Sequence, residues 1–329
     1  MAEEGLELSR GRIVILGTGG TIAGRAATRA DNVGYVAAQV GVGELLAGIE
    51  APAGHVLEVE QVAQVDSKDM DFPVWRQLAL RCAHWLADPQ VRGVVITHGT
   101  DTLEETACFL QRVLPARAKP VVLTCAMRPS TSLSPDGPGN LRDALAVVAA
   151  EGARGVSVVC AGVVHAAQDV QKAHTYRLDA FDSGDAGPLA YVEEGQVRRL
   201  RDWPASADGA LLPRVGAAQA LPRVEIVFSH AGASGALVDL LLRERQAPGT
   251  ARPIQGLVLG ATGNGTLHHE LEAAALRAQA AGVAVLRATR CLQGRILPRP
   301  GDALPSADAL GPAKARVALM LELLADSAA

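Results

Sequence analysis

Two short runs constrain this chain more than anything else in it. Gly17-Thr18-Gly19-Gly20-Thr21-Ile22-Ala23-Gly24 follows the β-branched stretch Ile13-Val14-Ile15-Leu16. Thr97-His98-Gly99-Thr100-Asp101-Thr102 follows Val94-Val95-Ile96. In each case a buried strand ends in threonine and glycine. Threonine hydroxyls beside glycines at strand ends point to a site where backbone approaches a small polar ligand and a hydroxyl can attack it.

The surrounding pattern alternates strand and helix. Strands are expected at Arg12–Leu16, Val94–Thr97, Val121–Cys125 and Val156–Ala161, and Val59–Val65 alternates like a further one. Helical spacing appears over Val42–Leu46, Pro73–Leu86, Leu103–Leu114 and Asn140–Ala150. Short β-branched strands between amphipathic helices indicate an α/β fold, with a mostly parallel sheet flanked by helices. Thr102-Leu103-Glu104-Glu105 has the form of a capping box, so a helix should start right after the second run.

The alternation breaks after residue 175. Leu189–Arg201 reads as a hairpin about Glu194-Gly195, and Asp202–Pro222, rich in Ala, Pro, Gly and Asp, reads as a linker. Strand and helix then resume: Val224–Phe228, Gly235–Arg245, Gly256–Leu259, His269–Ala281, Val283–Arg287 and Pro312–Ala325. The expected organisation is a larger N-terminal α/β domain over 1–201, a linker over 202–222 and a smaller C-terminal α/β domain over 223–329.

Composition sets the outer bounds. The 329 residues suffice for two domains with cores, and 49% apolar with 20% charged content is that of a folded globular protein. A net charge of -4 gives no electrostatic reason to expect nucleic acid or an anionic membrane as partner. No apolar run has the length of a membrane span. The acidic opening Met1-Ala2-Glu3-Glu4-Gly5 lacks the layout of a signal peptide, so a cytoplasmic location is expected. Cys82, Cys108, Cys125, Cys160 and Cys291 are odd in number and scattered, which argues against a disulfide framework or a zinc site. Among 31 basic residues the lysines are Lys68, Lys119, Lys172 and Lys314. Lysine, unlike arginine, can become a neutral base near physiological pH, a weak pointer to these positions.

Each candidate has a plainer reading. Gly17 and Gly19 fit the first two positions of a dinucleotide fingerprint, but the third falls on Ile22, so a tight strand-to-helix turn accounts for the run as well. Asp101 and Thr102 are good helix caps. His98 alone reads as a satisfied structural histidine, and Lys172 in Gln168–Lys172 as a surface lysine. The plain readings account less well for four strand ends bearing small or polar residues. Those ends are Gly17–Gly24, Asp66-Ser67-Lys68-Asp69-Met70, His98–Asp101 and Ala126-Met127-Arg128-Pro129-Ser130. Together they would line one rim of a sheet.

Taken together, these runs resemble the bacterial-type L-asparaginases, which include the glutaminase-asparaginases. The resemblance is carried by Thr18–Gly24, Val95–Ala107 and Ala126–Pro129, with Ser134-Pro135-Asp136-Gly137-Pro138, Asp169–Lys172 and Pro312–Val317 in support. It runs from about residue 12 to the C-terminal helix.

The resemblance implies a double-displacement amide hydrolysis without metal or organic cofactor. It implies Thr21 as nucleophile with Tyr35 beside it, and Thr100, Asp101 and Lys172 as a second catalytic group. It further implies Ser67 and Asp101 on the substrate α-carboxylate and α-ammonium, and the backbone of Ala126 on the side-chain amide. The segment Arg25–Gly34 would be a lid that brings Tyr35 in and excludes water. Backbone N–H groups in the glycine-rich turns would form an oxyanion hole.

A threonine hydroxyl needs a neighbouring base. Lysine serves only if its pKa is lowered, which Asp101 opposes, and tyrosine has a high reference pKa, so which group activates Thr21 stays open. Lys68 departs from the family pattern, which has Gln or Glu there, and adds a cation among the substrate-binding residues. Asn264 in Gly263-Asn264-Gly265 matches a residue contributed by a neighbouring subunit. The acidic partner that usually accompanies it is not identifiable in Gln293–Ala309.

The implied reaction converts L-asparagine and water to L-aspartate and ammonia, in a homotetramer with sites at subunit interfaces. Glutamine differs by one methylene, worth about 1–3 kcal/mol of discrimination, so weak glutaminase activity stays open. Two alternatives remain: a non-catalytic amino-acid-binding or sensing protein of the same fold, and the amidase subunit of a transfer-RNA amidotransferase.

Overall fold

A computed structural model describes residues 11–115, 119–205 and 207–327. The acidic opening Met1–Gly5 lies outside them. The chain forms two compact units, the first ending at Leu212 and the second beginning at Pro213.

The first unit starts with β1 (Gly11–Gly19), α1 (Val42–Leu45), β2 (His55–Val65), α2 (Phe72–Ala87), β3 (Val91–Thr97), α3 (Leu103–Val113), β4 (Pro120–Thr124), α4 (Gly137–Ala149) and β5 (Gly155–Cys160). It continues with β6 (Val163–Ala166), a two-stranded ribbon of β7 (Gln171–Lys172) and β8 (Phe181–Asp182), then β9 (Ala190–Glu193) and β10 (Gln196–Arg199). Its main sheet has eight strands in the order β10-β9-β6-β5-β4-β3-β1-β2. The run β2-β1-β3-β4-β5 is parallel, and β6, β9 and β10 join antiparallel.

The β-branched runs explain the parallel core. Ile13, Val14, Ile15 and Leu16 are fully buried, as are Val94, Val95 and Ile96. A strand covered on both faces reads as a continuous apolar run rather than an alternating one. Strand β2 sits at the sheet edge, where one face stays wet, and it alternates instead. The hairpin between β9 and β10 turns at Glu194 and Gly195, with φ of 48° and 77°, the pair of left-handed residues a two-residue turn needs.

The order of β2, β1 and β3 places the ligand rim. Chain connections leave β1 and β3 toward opposite sides, which makes the β1/β3 crevice a topological switch point. Open α/β sheets bind ligands there, beyond the carboxyl ends of the strands. Leu16 pairs with Ile96 and Gly17 with Thr97, so both opening runs leave the sheet side by side.

Some boundaries differ from the expectations. Helix α4 begins at Gly137 rather than Asn140, because Pro138 fits the first turn of a helix, where no donor is required. The capping box at Thr102 does not form as such. Thr102 is the N-cap of α3, but its hydroxyl makes no cap bond and instead donates to the Ser67 carbonyl at 2.7 Å. Part of the Asp202–Pro222 segment is helical: α5 (Leu211–Ala217) lies across the boundary between units.

The second unit holds a parallel sheet of β11 (Val224–Phe228), β12 (Gly256–Ala261) and β13 (Ala284–Thr289), with β12 in the middle. Helices α6 (Ala236–Gln246) and α7 (His269–Ala280) pack on each other, and α8 (Pro312–Asp326) packs against all three strands. Its core gathers Val238, Leu257, Leu259, Leu271, Ala274 and their neighbours.

Candidate active site

The four strand ends at the rim are stitched together by backbone and hydroxyl contacts. The Gly20 N–H donates to the Val65 carbonyl at 2.9 Å, joining the ends of β1 and β2. The Thr18 hydroxyl donates to the Thr97 carbonyl at 2.9 Å, joining β1 to β3. The His98 N–H donates to the Thr124 carbonyl at 2.9 Å, joining β3 to β4.

Glycine is required where the two opening runs meet. Gly20 has φ of 79°, and a Cβ there would lie 2.3 Å from both Cα and N of Gly99. A Cβ on Gly99 would in turn lie 2.4 Å from Ser67 Oγ. Any side chain at either position would push apart the turns that carry Thr21, Ser67 and Thr100.

Thr21 opens a one-turn helix, Thr21–Ala23, and is buried. Its Oγ1 lies 2.6 Å from Tyr35 Oη. Tyr35 reaches it through a loop closed by paired backbone hydrogen bonds between Arg25 and Val36, both 2.9 Å. Asp31 stiffens this loop by accepting from the N–H groups of Val33 and Gly34 at 2.9 and 2.7 Å. Those two bonds hold its carboxyl below the usual carboxylate range.

The same loop is fastened along a strap that follows β4. The Ser130 N–H and hydroxyl both donate to the Gly24 carbonyl, at 3.0 and 2.7 Å. The Ala26 N–H donates to Thr131 Oγ1 at 2.9 Å, and the Ser132 hydroxyl donates to Asn32 Oδ1 at 2.7 Å.

The second group assembles around Thr100, also buried. Lys172 Nζ donates to Thr100 Oγ1 at 2.9 Å and to Asp101 Oδ1 at 2.6 Å. The Asp101 side chain is 53% exposed and that of Lys172 only 20%, so the ammonium is the more enclosed partner. Ser67 is buried, and its Oγ accepts the Asp101 N–H at 3.2 Å. Thr100, Asp101, Lys172 and Ser67 therefore form one connected cluster. Thr21 and Tyr35 form a second pair, joined to it through the Gly20–Gly99 contact.

Lys68 turns away from an isolated-cation role. Its Nζ pairs with the Asp69 carboxylate and lies 3.5 Å from that of Asp66, with 60% of the side chain exposed. The hydrogen bond that its ammonium donates to Asp69 raises its pKa, so the ammonium stays charged. Ala126 is fully buried just beyond β4. Asn264 belongs to the second unit, where both ends of its amide engage Leu297 backbone: Nδ2 donates to the carbonyl at 3.2 Å, and Oδ1 accepts the N–H at 2.7 Å.

Three supporting side chains carried no assigned role in the sequence. Glu104, in the first turn of α3, accepts the Lys172 backbone N–H at 2.6 Å and so anchors β7, which carries that lysine. Asp136 accepts the N–H groups of Met127 and Arg128 at 2.9 and 3.0 Å, holding the turn after Ala126. Asn140 bridges two strand ends, donating to the Cys125 carbonyl and accepting the Ala161 N–H, both at 2.9 Å. The available signal for Asn140 was a polar residue on the apolar stripe of a helix.

His98 serves the rim as a neutral group. It is fully buried, and burial lowers its pKa to about 4. Trp75 Nε1 donates to Thr106 Oγ1 at 2.8 Å, the Thr106 hydroxyl donates to His98 Nε2 at 2.9 Å, and His98 Nδ1–H donates to the Gly99 carbonyl at 2.7 Å. Every proton in this chain has a partner only if the imidazole is neutral. None of the five cysteines forms a disulfide; Cys82, Cys108, Cys125 and Cys160 are buried and Cys291 is exposed. Among the described residues no group of three or more His, Cys, Asp and Glu is placed to hold a metal ion. No helix among them is long and apolar enough to cross a membrane.

Comparison with known proteins places this arrangement. Residues 12–205 match the family model "Asparaginase, N-terminal", and residues 223–328 match "Glutaminase/Asparaginase C-terminal domain". L-asparaginase 2 of Escherichia coli is 36% identical over 332 residues, covering 98% of this chain and 92% of that one. The glutaminase-asparaginase of Pseudomonas fluorescens biotype A is 35% identical over 323 residues, covering 94% and 86%. The crystal structure of the probable cytoplasmic L-asparaginase from Campylobacter jejuni superposes with a TM-score of 0.86 at 35% identity, covering 95% of each chain. With both family models matched in order along nearly its whole length, the chain belongs to the asparaginase family.

Proposed function

We propose that this protein hydrolyses the side-chain amide of L-asparagine, giving L-aspartate and ammonia through an acyl-threonine. One observation carries the reading. Two buried threonines sit on touching turns, and each hydroxyl is paired with a side chain able to take or give a proton: Thr21 with Tyr35 at 2.6 Å and Thr100 with Lys172 at 2.9 Å. A binding protein has no need of both pairs. The names of the E. coli and P. fluorescens relatives support the substrate class.

In the first half-reaction Thr21 Oγ1 attacks the amide carbon. Its proton passes to Tyr35 and on to the leaving nitrogen, and ammonia departs as the C–N bond breaks. In the second half-reaction water attacks the ester carbonyl, and its proton returns to Thr21 Oγ1 as the acyl bond breaks. Thr100, Lys172 and Asp101 supply the second proton-handling group. Ser67 and Asp101 hold the α-carboxylate and α-ammonium, with Lys68 at the edge of that set, and the backbone of Ala126 receives the amide. Asparagine is the favoured substrate, with glutamine a weak second.

The same proposal extends to assembly and location. The protein is a cytoplasmic homotetramer in which Asn264 of a neighbouring copy completes the site; the likeness to the probable cytoplasmic L-asparaginase from Campylobacter jejuni supports the location. The division into 1–201, a linker 202–222 and 223–329 is supported by family-model matches that stop at 205 and restart at 223.

Ammonia release with L-asparagine and L-glutamine tests the activity, and turnover of neither overturns it. Hydroxylamine tests the covalent step: the acyl-enzyme should be captured as a hydroxamate.

A further inference from the structure

Behind the turn that carries Thr21, the first unit holds a cavity of about 290 Å³. Its floor is apolar. Ile22 and Val40 are buried in a small cluster, against which Leu45 packs, and Leu141 of α4 adds a further wall. Its rim is charged. Arg25 Nη2 donates to Glu44 Oε1 at 2.6 Å, so those two charges cancel. Arg128 also lines the cavity, and among the described residues its guanidinium makes one hydrogen bond, from Nη1 to the Ser134 carbonyl at 3.0 Å. Among the described residues it has no carboxylate partner.

An apolar floor under one uncompensated guanidinium selects a ligand class. A zwitterionic or fully polar molecule would desolvate charge against the floor. A cation would face Arg128, and a dianion would leave one charge unmatched. A carboxylate on a hydrocarbon body satisfies both surfaces, since guanidinium binds carboxylate through paired N–H groups. The volume lies near the lower end of those of small-molecule sites.

We propose that this cavity is a second ligand site, distinct from the threonine cluster, for a small apolar monocarboxylate. The carboxylate sits on Arg128, and the hydrocarbon sits on Ile22, Val40, Leu45 and Leu141. The occupant touches Ile22, the residue after Thr21, and Ser130, whose two bonds to the Gly24 carbonyl fasten the base of the tyrosine loop. Occupancy therefore braces the Arg25–Val36 closure from behind. The binding itself is independent of the asparagine reading.

Titration calorimetry with hexanoate tests the site on the full chain. Hexanoate should bind saturably. Arg128→Gln should weaken it about tenfold or more, the effect of losing a charge-assisted pair. Ala47→Phe, at an exposed position lining the cavity, should abolish binding by filling it. Hexan-1-ol should bind about tenfold more weakly than hexanoate and ignore Arg128→Gln. Hydrogen exchange at the Arg25 and Val36 amides should slow on saturation. Circular dichroism establishes that both variants fold. Absence of saturable binding overturns the proposal, as does hexanoate binding that survives both substitutions or hexan-1-ol binding as tightly as hexanoate.

Discussion

Thr21 and Thr100 have the same hydroxyl and different company, and the difference assigns their work. Tyr35 can only donate or accept through one oxygen, whereas Lys172 brings a charge that Asp101 balances. Tyr35→Phe should lower kcat about 100- to 10,000-fold with little change in KM, the range of a lost proton-transfer group. Lys172→Met should fall in the same range, and Thr21→Ala should form no hydroxamate at all. Steady-state kinetics with hydroxylamine capture separates the three. His98 makes a different prediction. Its pKa is lowered by burial to about 4, and that of His165, also buried, to about 4. Between the ordinary histidine value of 6.5 and about 4, the unfolded chain binds protons that the folded chain refuses. Stability from these two groups is therefore complete above pH 6.5 and is lost as pH falls toward 4. Urea unfolding at stepped pH should show this decline, and its slope should flatten in a His165→Gln variant. A slope unchanged by that substitution would remove His165 from the account.

At the level of elements, the parts legible in the sequence were those set by local chemistry. β-branched runs gave β1, β3, β4 and β5, and alternation gave the edge strand β2. The family resemblance added roles to Thr21, Tyr35, Thr100 and Lys172, and the structure brings those side chains into two contacting pairs. What stayed illegible depends on contacts between distant segments. The strap of Ser130, Thr131 and Ser132 meets the tyrosine loop across about a hundred residues, and no periodicity encodes that meeting. Thr102 looked like a cap because local spacing fits one, but the Ser67 carbonyl, 35 positions away, claims its hydroxyl. Two predictions belong here. Ser132→Ala should leave the fold intact and make the 25–36 loop more sensitive to limited proteolysis, because the Asn32 tether is lost. Gly20→Ala should destabilise by about 2 kcal/mol or more, combining a left-handed backbone penalty with overpacking against Gly99; chemical denaturation measures it.

For the whole molecule, the groups proposed for chemistry all come from the unit ending at Leu212, and Asn264 alone comes from the other. If a neighbouring copy supplies Asn264, mixed oligomers provide the measurement. Thr21→Ala and Asn264→Ala proteins, each weak alone, should regain part of the activity when unfolded and reassembled together. Light scattering should report a tetramer in the active fraction. No recovery on mixing would place Asn264 outside the shared site. The touching glycines have a consequence at this scale as well. Gly20 and Gly99 are far apart in the chain, yet a carbon added to Gly20 would strike Gly99, and one added to Gly99 would strike Ser67 and crowd Gly20. A saturation library at both positions should return glycine with glycine almost alone, even under selection for stability without activity. The two halves of the site are thus bound to drift together, and a change that improves one turn in isolation has nowhere to go.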